Sequence, residues 1–181
     1  MNDDTPIFLV GFMGTGKTTV GRRLAERLGW PFVDLDAEIE ARAGKPISAI
    51  FRDDGEPHFR RLEREAVQRI AARRGVVAAA GGGAVLDHRN TADLLRAGLL
   101  VCLTARPDVV LARVREESHR PLLEQGDKER RIAELLEQRM PLYRALPCRV
   151  DTSDLSPEEV VARVLAIWRA GVERGPTGTT A

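Results

Sequence analysis

The segment Gly11-Phe12-Met13-Gly14-Thr15-Gly16-Lys17-Thr18 constrains this chain more than any other. It meets every fixed position of G-x-x-x-x-G-K-[ST], and its surroundings fit as well. The apolar run Ile7 to Val10 leads into it. Behind it Val20, Leu24 and Leu28 recur every fourth residue, with Gly29 where a helix would end. Strand, turn and helix in that order let a glycine-rich backbone curl so that successive N–H groups face phosphate oxygens. Gly14, Thr15, Gly16, Lys17, Thr18 and Thr19 are then the contacts to a nucleotide. Lys17 reaches the β- and γ-phosphates, and the Thr18 hydroxyl is a candidate ligand for Mg²⁺. A chance glycine turn before a helix is the alternative, but motif and context agree on a nucleoside triphosphate.

The remaining pattern alternates short apolar strands with helices. Phe32 to Leu35 reads as a strand ending on acids. Asp36 to Ala43 and Ile47 to Phe51 read as short helices, stopped by Gly44 and Gly55. Glu56 to Arg74 reads as a long helix with Phe59, Leu62, Ala66 and Ile70 on one face. Val76 to Ala80 is a small-residue strand that runs into Gly81-Gly82-Gly83. A helix over about His88 to Ala97, a strand at Leu99 to Leu103 and a helix from Pro107 to about Arg115 follow. Glu116 to Asp127 is polar and broken by Pro121 and Gly126. Lys128 to Arg139 is helical, Arg149 to Asp151 an edge strand, and Pro157 to Ala170 a last helix capped by Ser156. Continuous apolar strands between helices indicate a parallel sheet covered on both faces. One α/β domain is expected over residues 1–171, with a disordered tail over 172–181.

Charge and composition narrow the function. The 181 residues carry 28 basic and 27 acidic side chains, a net +1, so no basic surplus exists to neutralise nucleic-acid phosphates. No apolar run approaches the ~20 residues of a membrane helix, and no basic-then-apolar leader opens the chain, so neither membrane nor secretion is expected. Cys102 and Cys148 are isolated and read as small hydrophobes. His58, His88 and His119 have no ligand spacing, so zinc is not expected. A reducing, cytoplasmic setting fits, and with no long apolar exposed face a monomer is the default. A switch or motor needs partner surfaces for which this length leaves little room. A kinase for a small acceptor needs a pocket and a mobile cationic flap that excludes water.

Several residues are candidates for that pocket. Asp34 and Asp36 stand two apart at the carboxyl end of the second strand, the end that faces the ligand crevice of an open parallel sheet. If the strand persists to Asp36, both side chains point the same way. Asp34 then belongs to the Mg²⁺ surroundings, and Asp36 orients or deprotonates an acceptor hydroxyl. Alternatively, Asp36 only caps the next helix and Asp34 is a solvated loop acid. Gly81-Gly82-Gly83 admits something close to backbone, or is a plain loop. Arg60, Arg113, Arg115, Arg120 and Arg139, each taken singly, read more readily as surface ion pairs than as anion binders.

Taken together, the blocks G-F-M-G-T-G-K-T-T-V-G-R-R-L, F-V-D-L-D-x-E-I-E, D-G-E-x-x-F-R-x-x-E, G-G-G-A-V, R-P-L-L and R-x-P-L-Y occur in order from about Ile7 to Trp168. In these blocks the chain closely resembles shikimate kinase. The resemblance implies a P-loop, nucleoside-monophosphate-kinase-like α/β/α sandwich, three layers around a five-stranded parallel sheet. It implies transfer of the γ-phosphoryl of ATP to the 3-hydroxyl of shikimate, with Mg²⁺, in aromatic amino-acid biosynthesis.

The resemblance also implies residue roles. Asp36 would hold the ring hydroxyls near the attacking oxygen, and Arg60 and Arg139 would clamp the carboxylate, a task suited to planar guanidinium groups. Gly81, Gly82 and Gly83 would line the pocket with backbone, and Phe59 would wall it. Arg120 would reach the transferring phosphate as a lid over about 113–125 closes. Arg113 would lie against the adenine with the loop around Ser153 to Pro157, and Asp34 would reach Mg²⁺ through water. Lys-Thr-Thr ends the phosphate loop where many relatives have Lys-Ser-Thr, and Thr18 keeps the hydroxyl. Two other readings compete: another small-acceptor kinase resembling gluconate kinase, and a nucleotide-binding module whose catalysis has decayed.

Overall fold

The computed structural model describes residues 3–116 and 128–173. Five strands form one parallel sheet in the order β2-β3-β1-β4-β5. They are β1 (Ile7–Gly11), β2 (Phe32–Asp34), β3 (Val77–Ala79), β4 (Leu99–Thr104) and β5 (Arg149–Asp151). Among the described residues eight α-helices lie between them: α1 (Lys17–Leu28), α2 (Leu35–Ala43), α3 (Ile47–Asp53), α4 (Glu56–Ala71), α5 (His88–Ala97), α6 (Pro107–Glu116), α7 (Lys128–Ala145) and α8 (Pro157–Glu173). The three-layer α/β/α architecture expected above is therefore present.

Strand β1 shows why the sheet needs cover on both sides. Successive side chains of a strand point to opposite faces. Phe8 and Val10 accordingly join the core under α4, α5 and α7, while Ile7 and Leu9 join the one under α1 and α8. All four are at most 1% exposed, so truncating Phe8 to Ala would cost about 3–5 kcal/mol. Both neighbours of β1 are hydrogen-bonded in register, Ile7 opposite Val77 on one side and Leu99 on the other. From β1 the chain goes to β2 and β3 on one side, then to β4 and β5 on the other. The turn after β1 thus sits at the switch point where an open α/β sheet binds its ligand.

Caps set several helix ends as the sequence indicates. Gly29 and Gly44 close α1 and α2 in left-handed conformation, at φ +67° and +68°. Ser156 and Glu159 form a capping box on α8: the Ser156 hydroxyl accepts from the Glu159 amide, and the Glu159 carboxylate accepts from the Ser156 amide.

Other boundaries differ from expectation. Helix α7 does not stop at Arg139 but continues through Pro141 to Ala145. An interior proline forfeits one backbone bond. Tyr143 and Leu146, 1% and 4% exposed beyond it, hold the last turn against the core. Helix α4 ends at Ala71 rather than Arg74, just after its last buried side chain, Ile70. Its buried face is also rotated from the expected one, with Glu63 and Val67 fully covered and Leu62 only half-buried. The last helix runs to Glu173, which takes residues 172–173 out of the expected tail. Residues 174–181, most of the expected lid and Arg120 itself lie outside the described residues.

Candidate functional site

Local geometry explains the glycines of the turn after β1. Gly11 has φ +138°, and a Cβ there would collide with the Leu103 carbonyl of the adjacent strand. Gly14 and Gly16 follow at φ +72° and +88°, in the left-handed region that side chains disfavour. The Thr15 hydroxyl donates to the Phe12 carbonyl at 2.8 Å and pins the turn from inside. Gly16 caps α1 without any side-chain bond to its first amides, so these face the cleft with the positive end of the helix dipole. Lys17 arches back over the loop, donating to the Gly11 and Phe12 carbonyls, each at 2.9 Å.

Beside this cradle the two acids stand differently from the strand geometry expected. Strand β2 ends at Asp34, and Leu35 already begins α2. Asp34, not Asp36, is the helix cap: one carboxylate oxygen accepts from the Asp36 amide at 3.2 Å. The other accepts from the Thr18 hydroxyl at 3.0 Å. Strand alternation is therefore not what brings the acids together, yet both line one cleft with Lys17, Thr18, Gly81 and Gly82.

Thr18 and Asp34 offer only oxygen donors, and no group of three or more His, Cys, Asp or Glu side chains converges among the described residues. That set fits Mg²⁺, which keeps several waters and shares its coordination with phosphates rather than taking a full protein cage.

Next to Asp36 lies Gly81-Gly82-Gly83, and each glycine is crowded by a different functional side chain. A Cβ on Gly81 would stand 2.7 Å from an Asp36 carboxylate oxygen, and one on Gly83 2.5 Å from Arg60 Nη1. On Gly82 it would meet the Tyr143 hydroxyl at 3.2 Å and Arg139 Nη1 at 3.3 Å. None of the three has a positive φ, so the run supplies space rather than an unusual turn.

The two arginines come from different elements. Arg60, on α4, donates to Glu63 at 2.8 Å and to Glu56 at 2.8 and 3.1 Å. Its guanidinium lies 5.2 Å from the centre of the Phe59 ring, which in turn packs on Phe51 at 4.7 Å. Arg139, on α7, lies 5.7 Å from the centre of the Phe12 ring. Glu63 is 2% exposed. Burial raises its carboxyl above the usual range while Arg60 opposes the rise, and the charges of Asp36 and Arg139 reach it too. Two cations and one carboxylate thus surround the glycine run, which suits an acceptor carrying both an acid and hydroxyls.

A second groove opens on the other side of the phosphate loop, lined by Gly14, Thr15, Thr19, Arg113, Thr152, Leu155 and Pro157. Arg113 reaches from α6 to the Gly14 carbonyl at 3.2 Å and to the Thr152 carbonyl and hydroxyl at 2.8 and 3.0 Å. Arg106 clasps Asp154 through Nη1 and Nη2, and the Ser153 hydroxyl accepts from the Arg106 amide at 2.8 Å.

Three contributors escaped the sequence reading: Glu63, Thr152 and Tyr143, all buried. Glu63 had a signal, since it closes the F-R-x-x-E block at the helical spacing that lets it reach Arg60. Tyr143 had one of the same kind, closing the R-x-P-L-Y block one helical turn after Arg139, although its Gly82 partner is distant in sequence. Thr152 had none, because its partners lie tens of residues away. Cys102 is buried as a small hydrophobe, its thiol pushed up to about 12 by burial; Cys148 is half-buried, and neither forms a disulfide.

A model of the shikimate kinase family matches residues 13–169. Shikimate kinase of Thermodesulfovibrio yellowstonii is 44% identical over 159 residues, 88% of this chain and 92% of that protein. That of Geobacter metallireducens is 46% identical over 158 residues, 87% of this chain and 88% of the other. Among solved structures, shikimate kinase from Acinetobacter baumannii in complex with shikimate superposes with a TM-score of 0.86 at 36% identity, covering 92% of this chain and 93% of that one. A gluconokinase from Sinorhizobium meliloti reaches a TM-score of 0.63 at 22% identity over 99% of this chain and 100% of its own, a likeness of fold alone.

Proposed function

The chain belongs to the shikimate kinase family, and from that membership we propose the roles of its residues in phosphorylating shikimate at the 3-hydroxyl. The enzyme takes ATP as phosphoryl donor. The observation that carries the residue assignment is the gathering of Asp36, Arg60 and Arg139 around Gly81–Gly83 beside the phosphate loop.

Arg60 and Arg139 bind the shikimate carboxylate from two sides, and the Phe59 and Phe12 rings keep that end dry. Asp36 accepts hydrogen bonds from ring hydroxyls and takes the proton as the 3-oxygen attacks the γ-phosphorus. The bond from that phosphorus to the bridging oxygen breaks, leaving ADP. The amides of the loop and of the α1 N-terminus, with Lys17, stabilise the charge on the transferring group. Arg113 and the segment from Thr152 to Pro157 hold the adenine. Thr18, and Asp34 through water, would hold Mg²⁺, which when bound neutralises charge on the β- and γ-phosphates. Arg120, in the R-P-L-L block, joins the transferring phosphate when its segment covers the site.

Positioning and charge stabilisation account for the transfer. Gluconate kinase activity is disfavoured because two arginines clamping an acid suit a ring carboxylate held at a fixed angle to its hydroxyls. We further propose a cytoplasmic monomer. Its support is that the two cysteines are free and that Leu86, Leu95 and Leu142, at 39–46%, are the exposed large hydrophobics among the described residues.

The test is ADP release from ATP and Mg²⁺ with shikimate, quinate or gluconate as acceptor. Release well above background with shikimate alone is expected. Equal release with gluconate, or release independent of any acceptor, would overturn the assignment.

A further inference from the structure

Tyr143 is the only tyrosine in the chain and is 1% exposed. It stands one helical turn beyond Arg139 on α7, so the two side chains share a face. Its hydroxyl donates to the Gly82 carbonyl at 2.8 Å. The Arg139 guanidinium stands beside the same hydroxyl: a Cβ on Gly82 would meet the phenol oxygen at 3.2 Å and Arg139 Nη1 at 3.3 Å, so both groups crowd Gly82. Burial pushes the phenol up to about 12, so the oxygen keeps the proton it donates to Gly82 throughout the working range, and its lone pairs remain available to the neighbouring guanidinium.

That oxygen is the meeting point of two separate elements. Gly82 belongs to the loop after β3, and Arg139 comes from the far end of a helix interrupted by Pro141. Nothing local in either element fixes the distance between them. We propose that Tyr143 is a positioning residue for the acceptor carboxylate: its hydroxyl ties the Arg139 guanidinium to the Gly82 backbone at the angle the carboxylate requires. It does so without touching the acceptor. The proposal rests on the reading that Arg139 faces the shikimate carboxylate.

Tyr143→Phe removes one oxygen and leaves the packing. Without the hydroxyl the Arg139 guanidinium is no longer held at that angle, so the shikimate KM should rise about tenfold. The same variant should keep kcat and the ATP KM within about twofold and melt within a few degrees of the parent, as a single non-bulk change allows. With the methyl ester of shikimate, which carries no carboxylate charge, parent and variant should differ little. In an Arg139→Ala background, Tyr143→Phe should have almost no further effect.

A parental shikimate KM in Tyr143→Phe overturns the proposal. So does an equal loss for acid and ester, or additivity with Arg139→Ala. A parent enzyme without shikimate-dependent turnover would instead remove the functional reading beneath it. Should Tyr143→Phe fail to fold, 3-fluorotyrosine gives the chain a single ¹⁹F resonance at this position with the hydroxyl retained. That resonance should move on adding shikimate and stay put with gluconate; a resonance unmoved by saturating shikimate is the contrary result.

Discussion

Gly81, Gly82 and Gly83 have torsions that any residue could adopt, so what matters at each is the missing side chain. A methyl group on Gly83 would stand 2.5 Å from Arg60 Nη1, the mobile end of a long side chain, and would push the guanidinium aside rather than unfold the loop. Gly83→Ala should therefore raise the shikimate KM about tenfold through one displaced charge-assisted contact, with the melting temperature nearly unchanged. Steady-state kinetics beside a thermal melt separates the two effects. Asp36→Asn keeps the shape of the carboxylate and removes its basicity. Its kcat should fall by about 10²-fold or more while the ATP KM holds. A variant turning over at the parental rate would take Asp36 out of the proton path. The chemistry of these residues was legible where it is local, in the glycine–lysine turn and the acid pair; Glu63, three residues after Arg60, carried a local signal that went unread. The part played by each glycine was not. The sequence suggested backbone open to a ligand, but tertiary packing fills much of that space with Asp36, Arg139 and Arg60.

Elements carry these residues to their places, and α5 shows how much depends on an end. Asp87 caps it, accepting from the Arg89 amide at 2.9 Å, directly after the 3₁₀ turn Ala84–Leu86 that leaves the glycine run. Asn90 on the same helix donates to the Ala84 carbonyl at 3.0 Å and accepts from Arg64 of α4 at 3.1 Å. The Arg89 side chain, hydrogen-bonded to Asp87, lowers the Asp87 carboxyl to about 2 from 3.8. A carboxyl depressed in the folded state adds stability above its unfolded value, and that stability is lost as pH falls from 3.8 through about 2. Asp87→Asn can still cap but loses the charge facing Arg89. It should therefore be less stable than the parent at pH 7, flatter across that acid window, and close to the parent near pH 2, as read by denaturant melts at several pH values. Helix α7 is the element the sequence misplaced. Pro141 reads as a stop because local preference disfavours it. What carries the helix past it is the burial of Tyr143 and Leu146, which no local pattern encodes. Helix α4 was placed correctly but rotated, since a buried Glu63 breaks the apolar stripe from which its inner face was read.

Over the whole molecule, a net charge of +1 conceals a crevice in which Lys17, Arg60 and Arg139 gather beside Asp34 and Asp36, the cations proposed to face a triphosphate and an acid and the acids a metal and hydroxyls. The parallel sheet was legible because continuous apolar strands can be buried only between two helix layers. Strand order was not, because it depends on which crossover goes to which side of β1. A ligand that binds only the folded chain stabilises it by mass action. At about a hundred times its dissociation constant, shikimate should raise the melting temperature by roughly 5–10 °C, and gluconate should leave it unchanged. The most direct measurement of the central claim is the identity of the product. After incubation with ATP, Mg²⁺ and shikimate, a ³¹P–¹H correlation spectrum should show a single new phosphate ester coupled to the proton on carbon 3 of the ring. Phosphorus found only in ADP and free phosphate, or coupled to another ring position, would contradict the account.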